Sequence, residues 1–277
     1  MGAAEVAQAA DGRELWITRS GASDAPPVVV LPGGPCRHPE YLGDLAGLAD
    51  IRSVAILHVR GTPKTGGVSR GWWHDAADAV AALDRLGLGA ADVLAHSAGT
   101  RLALSLTVQH PDRVRSLALI TPPSTWLSGV DHDGTDLVAD RAEPEVAQAF
   151  ASMLGPDPVD EAAFQRAWER EQPAGYGHWT EREKRHALVG GMSLAASLAW
   201  FDDIPADARE RILRAPLPPT LVVGGALDIL TGVAPVRAYA ERLGARLEMI
   251  PDAGHYPWVE QPAAFRRAID PWVTSSR

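Results

Sequence analysis

The sequence predicts an α/β fold: a mostly parallel sheet covered by helices on both faces, carrying a helical insertion. Three observations lead there. Apolar runs rich in β-branched residues, such as PVVVL (Pro27 to Leu31) and VRSLALI (Val114 to Ile120), lack the alternation of a half-exposed strand and suit strands buried on both faces. Stretches with helical spacing of apolar residues lie between those runs. The runs end in Gly- or Pro-rich text: PGGP (Pro32 to Pro35), RGTP (Arg60 to Pro63) and AHSAG (Ala95 to Gly99). In a parallel sheet these turns share one edge, where ligands gather.

Taken in order, Glu14 to Arg19 alternates enough for an early strand, and Gly21 to Pro27 is a turn-rich break. Strands follow at Pro27 to Leu31 and Ser53 to Val59. Trp72 to Leu86 has helical periodicity, with Ala76, Val80, Leu83 and Leu86 on one side. A short apolar run, Ala91 to Leu94, leads into AHSAG, and a helix then runs from Thr100 to about His110, where Pro111 stops it. Val114 to Ile120 is the next strand, closed by Thr121-Pro122-Pro123. From Ser124 to Pro216 helical segments (Glu143 to Leu154, Asp160 to Glu171) occur without a convincing buried strand. The pattern resumes with a strand from Pro219, a helix at Val233 to Leu243 and a strand at Arg246 to Ile250. A closing helix spans Gln261 to Trp272, its end left open by Pro271. The expected organisation is a core formed by 1–123 and 217–277, with a helical cap at 124–216.

Composition narrows the setting. A chain of 277 residues with 46% hydrophobic and 22% charged residues supports a large buried core. A formal net charge of −9 argues against nucleic acid or an anionic membrane surface as partner. The one cysteine, Cys36, excludes an internal disulfide and suits a reducing compartment. The opening text MGAAEVAQAADGRELW has neither a basic start nor an apolar core of signal-peptide length, and Val6 stands where myristoylation at Gly2 needs Ser or Thr. No apolar run approaches membrane-spanning length. The expectation is a cytoplasmic protein whose partner is a small molecule or short peptide.

AHSAG has the form of a nucleophile elbow: a tight strand-to-helix turn that lifts a serine hydroxyl from the sheet edge and aims a helix N-terminus at it. Ser97 is then the nucleophile, although a small turn at a strand end would read the same way in isolation. A serine hydroxyl needs a base, and the base needs an orienting group. Of nine histidines, His255 stands in the Gly-containing loop DAGHYPW after the last strand and is the candidate base. His96 adjoins the serine and points back into the sheet, and His110 suits a helix end. His132, His178 and His186 fall in the insertion, as solvent-facing or locally bonded groups. Asp228, in GGALDILTG after the preceding strand, is the candidate orienting acid, with helix capping as its plain alternative. The order Ser97, Asp228, His255 joins these separate signals into one constellation. An oxyanion hole needs two preset backbone donors. The amides of Ala98, directly after the serine, and of Gly34, in PGGP, are the candidates, and a structural turn is the alternative for the latter.

These motifs resemble the α/β-hydrolase superfamily over essentially the whole chain, and within it the proline iminopeptidase branch. That branch has HGGPG, DQRG-x-G-x-S and GGSWG, followed by late Asp and His loops. This chain has LPGGPC, HVRGTPKTG, AHSAG, GGALDILTG and DAGHYPW. Pro32 stands where the branch has His, Cys36 where it has the last Gly of HGGPG, and Ala95 and Ala98 where it has Gly and Trp. The resemblance implies an amine-binding role for Trp168 and Glu169, in AFQRAWERE, whereas the residues alone read more simply as a charged surface helix. No second cap glutamate is placed for that role.

The expected activity is hydrolysis of an ester or amide through an acyl-enzyme, with Ser97, His255 and Asp228 as a triad and no metal or cofactor needed. A rival within enzymes removes an amino-terminal aminoacyl group; a lyase or C–C hydrolase with the same triad is a further variant. Dehalogenation and epoxide opening fit less well, since relatives doing that chemistry carry Asp at the elbow. Outside enzymes, the same fold could serve as a ligand receptor or scaffold. Cys36 reads either as a reactive thiol or as a small buried hydrophobe. Trp126, Trp168, Trp179 and Trp200 suit an apolar pocket or simple helix packing equally.

Overall fold

Each continuous apolar run folds as a strand. The computed structural model describes residues 3–275; positions 1, 2, 276 and 277, including Gly2, lie outside the described residues. The core begins with β1 (Ala3–Gln8), β2 (Glu14–Ser20), β3 (Val28–Leu31), β4 (Val54–Leu57), α1 (Ala76–Arg85), β5 (Ala91–His96), α2 (Gly99–Gln109) and β6 (Val114–Ile120). The insertion holds α3 (Thr125–Ser128), α4 (Gly134–Ala139), α5 (Pro144–Met153), α6 (Glu161–Glu171), α7 (Glu181–Ala187), α8 (Leu194–Ala199) and α9 (Ala208–Arg214). The chain then forms β7 (Thr220–Gly225), α10 (Ala234–Arg242), β8 (Arg246–Ile250), α11 (Pro257–Glu260) and α12 (Pro262–Ser275).

The strands form one eight-stranded sheet in the order β1-β2-β4-β3-β5-β6-β7-β8. The first two pairings, β1 with β2 and β2 with β4, are antiparallel, and the rest are parallel. The α/β-hydrolase fold expected from the sequence is the fold observed. Register brings Leu31 opposite Ala95, His96 opposite Ile120 and Gly225 opposite Ile250, so the strand ends leading to PGGP, AHSAG and the two late loops reach one edge.

Successive strand residues feed opposite cores, which explains why the runs are apolar without alternation. Val29, Leu31, Val93, Ala95 and Leu117 pack with α1, α2 and α10 on one face. Val28, Val30, Leu94, Ala118 and Ile120 pack with Tyr41, Leu42 and α12 on the other. Each buried aliphatic side chain stabilises the fold by about 1.5–3 kcal/mol before entropy is counted.

Two features depart from the sequence pattern. β1 was not expected; it adds to the antiparallel edge through six residue pairings with β2. α12 also continues past Trp272 to Ser275. Pro271 has no N–H for the preceding turn, but Trp272 and Val273 are buried and hold the last turn against the core.

The insertion is helical among its described residues, and its two ends pack like core elements. α3 lies against α10 and α9 against α2. Arg209 on α9 donates to the carbonyls of Trp126 and Leu127 at 2.8 and 3.0 Å, joining the two ends. The middle is fastened to the core by long-range polar contacts. The buried Arg37 guanidinium donates to the carbonyls of Gly190 and Val189 at 2.9 and 2.6 Å, and to Tyr256 Oη at 2.8 Å. His186 Nε2 lies 2.7 Å from the Tyr41 carbonyl and Nδ1 lies 2.7 Å from Tyr176 Oη.

Candidate active site

β5 ends at His96 and α2 begins at Gly99, leaving Ser97 and Ala98 to make the turn. Ser97 has φ +49°, a left-handed conformation that costs a non-glycine residue about 1–2 kcal/mol. Its own amide donates to the Ile120 carbonyl at 2.8 Å, and Thr100 Oγ1 donates to its carbonyl at 2.6 Å. Neighbouring glycines leave the turn its space. A Cβ on Gly33 would stand 2.6 Å from His96 Nδ1 and 2.7 Å from Ser97 Cβ; one on Gly99 would stand 2.6 Å from the Leu31 carbonyl oxygen.

The two late loops meet. His255 Nδ1 lies 2.9 Å from Asp228 Oδ2, with both side chains buried. A carboxylate only accepts, so Nδ1 carries the proton and Nε2 is left as an acceptor. Asp228 is held in turn: Thr231 Oγ1 donates to Oδ2 at 2.6 Å, and the amides of Leu230 and Thr231 donate to Oδ1 at 2.9 and 3.3 Å. The capping alternative for Asp228 goes to another residue, since the Val233 and Ala234 amides at the start of α10 donate to the Asp133 carboxylate. Ser97 and His255 do not hydrogen-bond to one another in this structure; such contacts are often long without substrate.

The proposed oxyanion donors differ from their neighbour. The Gly33 amide is committed to Tyr41 Oη at 2.5 Å. The amides of Gly34 and Ala98 have no protein hydrogen-bond partner among the described residues. Cys36, next along that loop, has φ +61° and is buried, with Sγ 3.5 Å from the Ala196 carbonyl. Burial pushes its thiol up to about 12, the environment of an inert side chain. Arg60 of RGTP belongs elsewhere: it is a buried ion-pair centre, 2.5 Å from Asp78 and 2.7 Å from Asp11.

His96 and His186 are both held by hydrogen bonds. His96 is buried between Tyr41 and the His255 carbonyl, at 2.8 and 3.1 Å. His186 is the half-buried bridge to Tyr41 described above, rather than a solvent-facing residue. Burial holds both imidazoles below their ordinary range.

Glu260 was missed by sequence reasoning. It is buried, and its carboxylate accepts from the amides of Gly254 at 2.7 Å, Gly177 at 2.6 Å and His178 at 3.2 Å. It thereby ties the residue before His255 to the insertion. Burial pushes its carboxyl up to about 8, against the opposing pull of the three donors. The only sequence signal was an acid inside the apolar text YPWVEQP.

Trp168 and Glu169 differ in burial but border a common outer cavity. Trp168 is half-buried, its ring 5.0 Å from the Arg37 guanidinium carbon. Glu169 is exposed and lines an outer cavity of about 410 Å³ with Trp179 and Lys184. Glu171, two residues on, is half-buried, accepts from Ser152 Oγ at 2.9 Å, and lines a cavity of about 90 Å³ with Leu230 and Tyr256. Among the described residues, no group of three or more His, Cys, Asp or Glu is arranged to hold a metal ion. No described helix is long and apolar enough to cross a membrane.

Comparison with known proteins places this geometry among relatives. The sequence model of a family described as alpha/beta hydrolase fold matches residues 26–262. The 2-hydroxymuconate semialdehyde hydrolase of Pseudomonas sp. (strain CF600) is 27% identical over 210 residues, covering 75% of this chain and 70% of its own. Among solved structures, an esterase (EaEST) from Exiguobacterium antarcticum superposes with a TM-score of 0.72 at 17% identity, covering 99% of this chain and 100% of its own. Carboxylesterase CesB (YbfK) from Bacillus subtilis gives 0.69 at 18% identity, with 99% and 92% covered.

Proposed function

Because the chain belongs to the α/β-hydrolase fold family, we propose that it is a serine hydrolase that cleaves an ester or amide of a small molecule through an acyl-enzyme. One observation carries the reading: a buried Asp228–His255 pair at 2.9 Å, on the loops after β7 and β8, at the same sheet edge as a serine in a strained elbow. In the reaction, His255 Nε2 takes the Ser97 proton as the serine oxygen attacks the carbonyl carbon. Asp228 holds the imidazole in its Nδ1–H tautomer and stabilises the cation that forms. The Gly34 and Ala98 amides receive the oxyanion. The imidazolium then protonates the leaving group, and a water activated by the same histidine releases the acid. Residues 124–216 act as the cap that selects the substrate.

The test is covalent labelling. A fluorophosphonate probe labels Ser97 in the native chain and fails on Ser97→Ala; a folded native chain that stays unlabelled overturns the reading. The aminoacyl-removing variant, from the proline iminopeptidase resemblance, assigns Glu169 to the substrate amine. Its check is turnover of aminoacyl arylamides beside simple acyl esters, with selective loss of the former in Glu169→Gln. Intact aminoacyl turnover in that variant removes the assignment.

A further inference from the structure

Gly33 precedes the Gly34 donor, His96 precedes the nucleophile, and the His255 carbonyl belongs to the base itself. One chain of hydrogen bonds joins all three. The Gly33 N–H donates to Tyr41 Oη at 2.5 Å, Tyr41 Oη lies 2.8 Å from His96 Nδ1, and His96 Nε2 lies 3.1 Å from the His255 carbonyl oxygen. Tyr41 and His96 are each 1% exposed, so solvent does not replace these partners.

The chemistry of the groups fixes the direction of the chain. A carbonyl oxygen only accepts, so His96 Nε2 carries a proton. Burial, with the neighbouring His255 second, keeps the imidazole neutral, so Nδ1 is an acceptor. Tyr41 must then donate to Nδ1, and its oxygen is free to accept from Gly33. Every donor meets an acceptor, and reversing one link leaves a buried group without a partner. The His255 end has further anchors: Thr121 Oγ1 also donates to the His255 carbonyl at 3.1 Å, and the His255 amide donates to the Gly175 carbonyl at 2.9 Å.

We propose that Tyr41 and His96 are positioning residues that set the spacing between the oxyanion loop and the base loop on either side of Ser97. This rests on the Ser97–His255–Asp228 reading. Neither side chain is assigned a contact with substrate; Tyr41 acts through the Gly33–Gly34 backbone and His96 through the His255 backbone. The spacing matters because a donor or base misplaced by about 1 Å costs on the order of a hundredfold in rate.

The experiment compares the native chain with Tyr41→Phe, His96→Phe, the double variant and His96→Asn, which retains an acceptor close to Nδ1. Fluorophosphonate kinetics at Ser97 give a maximal labelling rate and a half-saturation concentration. p-Nitrophenyl butyrate gives kcat and KM, and thermal melts report folding. Each Phe variant is expected to lose about 10- to 100-fold in maximal labelling rate and kcat, with half-saturation and KM within threefold. The double variant is expected to lose no more than about the worse single, since either change breaks the same chain, and His96→Asn to recover part of the loss.

Folded Tyr41→Phe with native rates, or a double variant whose losses multiply, overturns the positioning role. So does a loss confined to KM or to the melting temperature. A native chain that labels and turns over while Ser97→Ala does neither keeps the parent reading intact during that judgement. A native chain that neither labels nor turns over overturns both.

Discussion

At the N-terminal ends of the parallel strands, Asp92 meets Arg52 at 2.7 Å, with Ser116 donating to its other oxygen at 2.7 Å. Arg52 also donates to the carbonyls of Pro26 and Val273 at 2.6 and 3.2 Å, so it joins the approach to β3 to the last turn of α12. At the opposite ends, the buried Asp228 meets an imidazole at 2.9 Å. Both carboxylates are almost inaccessible and fully hydrogen-bonded. They differ in partner: a guanidinium offers donors only, whereas an imidazole that donates from Nδ1 still presents Nε2 as an acceptor. One end is thus closed by an ion pair, and the other keeps a ring nitrogen open to a further partner.

Three measurements bear on that contrast. Asp228→Asn leaves the imidazole without the partner that fixes its tautomer. The expected loss is about 10⁴-fold in turnover, equivalent to roughly 5.5 kcal/mol in barrier, with a melting temperature close to native. A comparable loss of stability would make the two carboxylates alike. Asp92→Ala leaves Arg52 as an uncompensated buried cation and is expected to destabilise the fold by about 3–5 kcal/mol. Denaturant titration reads that cost, and turnover per folded molecule should stay native; a large fall in kcat would join Asp92 to the chemistry.

The smallest expected effect is set by pH. Burial lowers His58 to about 4, chiefly by desolvation, with the positive charge of Lys64 adding to it. The unfolded chain protonates this side chain near its ordinary value of about 6.5, while the folded chain resists. Its contribution is therefore complete above that range and is lost as pH falls from about 6.5 through 4. Urea midpoints should drop across this window, with a slope of at most about 1.4 kcal/mol per pH unit from this one proton. His58→Gln should flatten part of the slope; an unchanged slope would place the acid sensitivity at the other depressed histidines, His96, His186 and His38.

The same contrast explains what could be read in advance. VVVL and the LALI end of VRSLALI were legible as strands because burial on both faces makes their positions apolar. β1 was not, since AAEVAQ has weak strand preferences and its extended form depends on partners in β2. The end of α12 was not legible because Pro271 obeys a local rule that the buried Trp272 and Val273 override. At the site, Ser97, Asp228 and His255 stood out because each sits in a short local motif and their order is informative. Tyr41, Arg37 and Glu260 carry no such motif. Arg37 meets Tyr256 across 219 positions and Tyr41 meets His96 across 55, and only the folded sheet makes these pairs neighbours. Glu169 stood out in the text but faces outward, while Glu171, on the same helix, lines the cavity that reaches Tyr256.

Cys36 gives the molecule a built-in clock. It is the one sulfhydryl in the chain, it is shut away beside the proposed oxyanion loop, and its proton is held tightly. A thiol reagent therefore has to wait for that loop and the adjoining α8 segment to part. The interval before modification counts partings of the turn at Cys36 from α8, with no engineered label and no competing thiol to subtract.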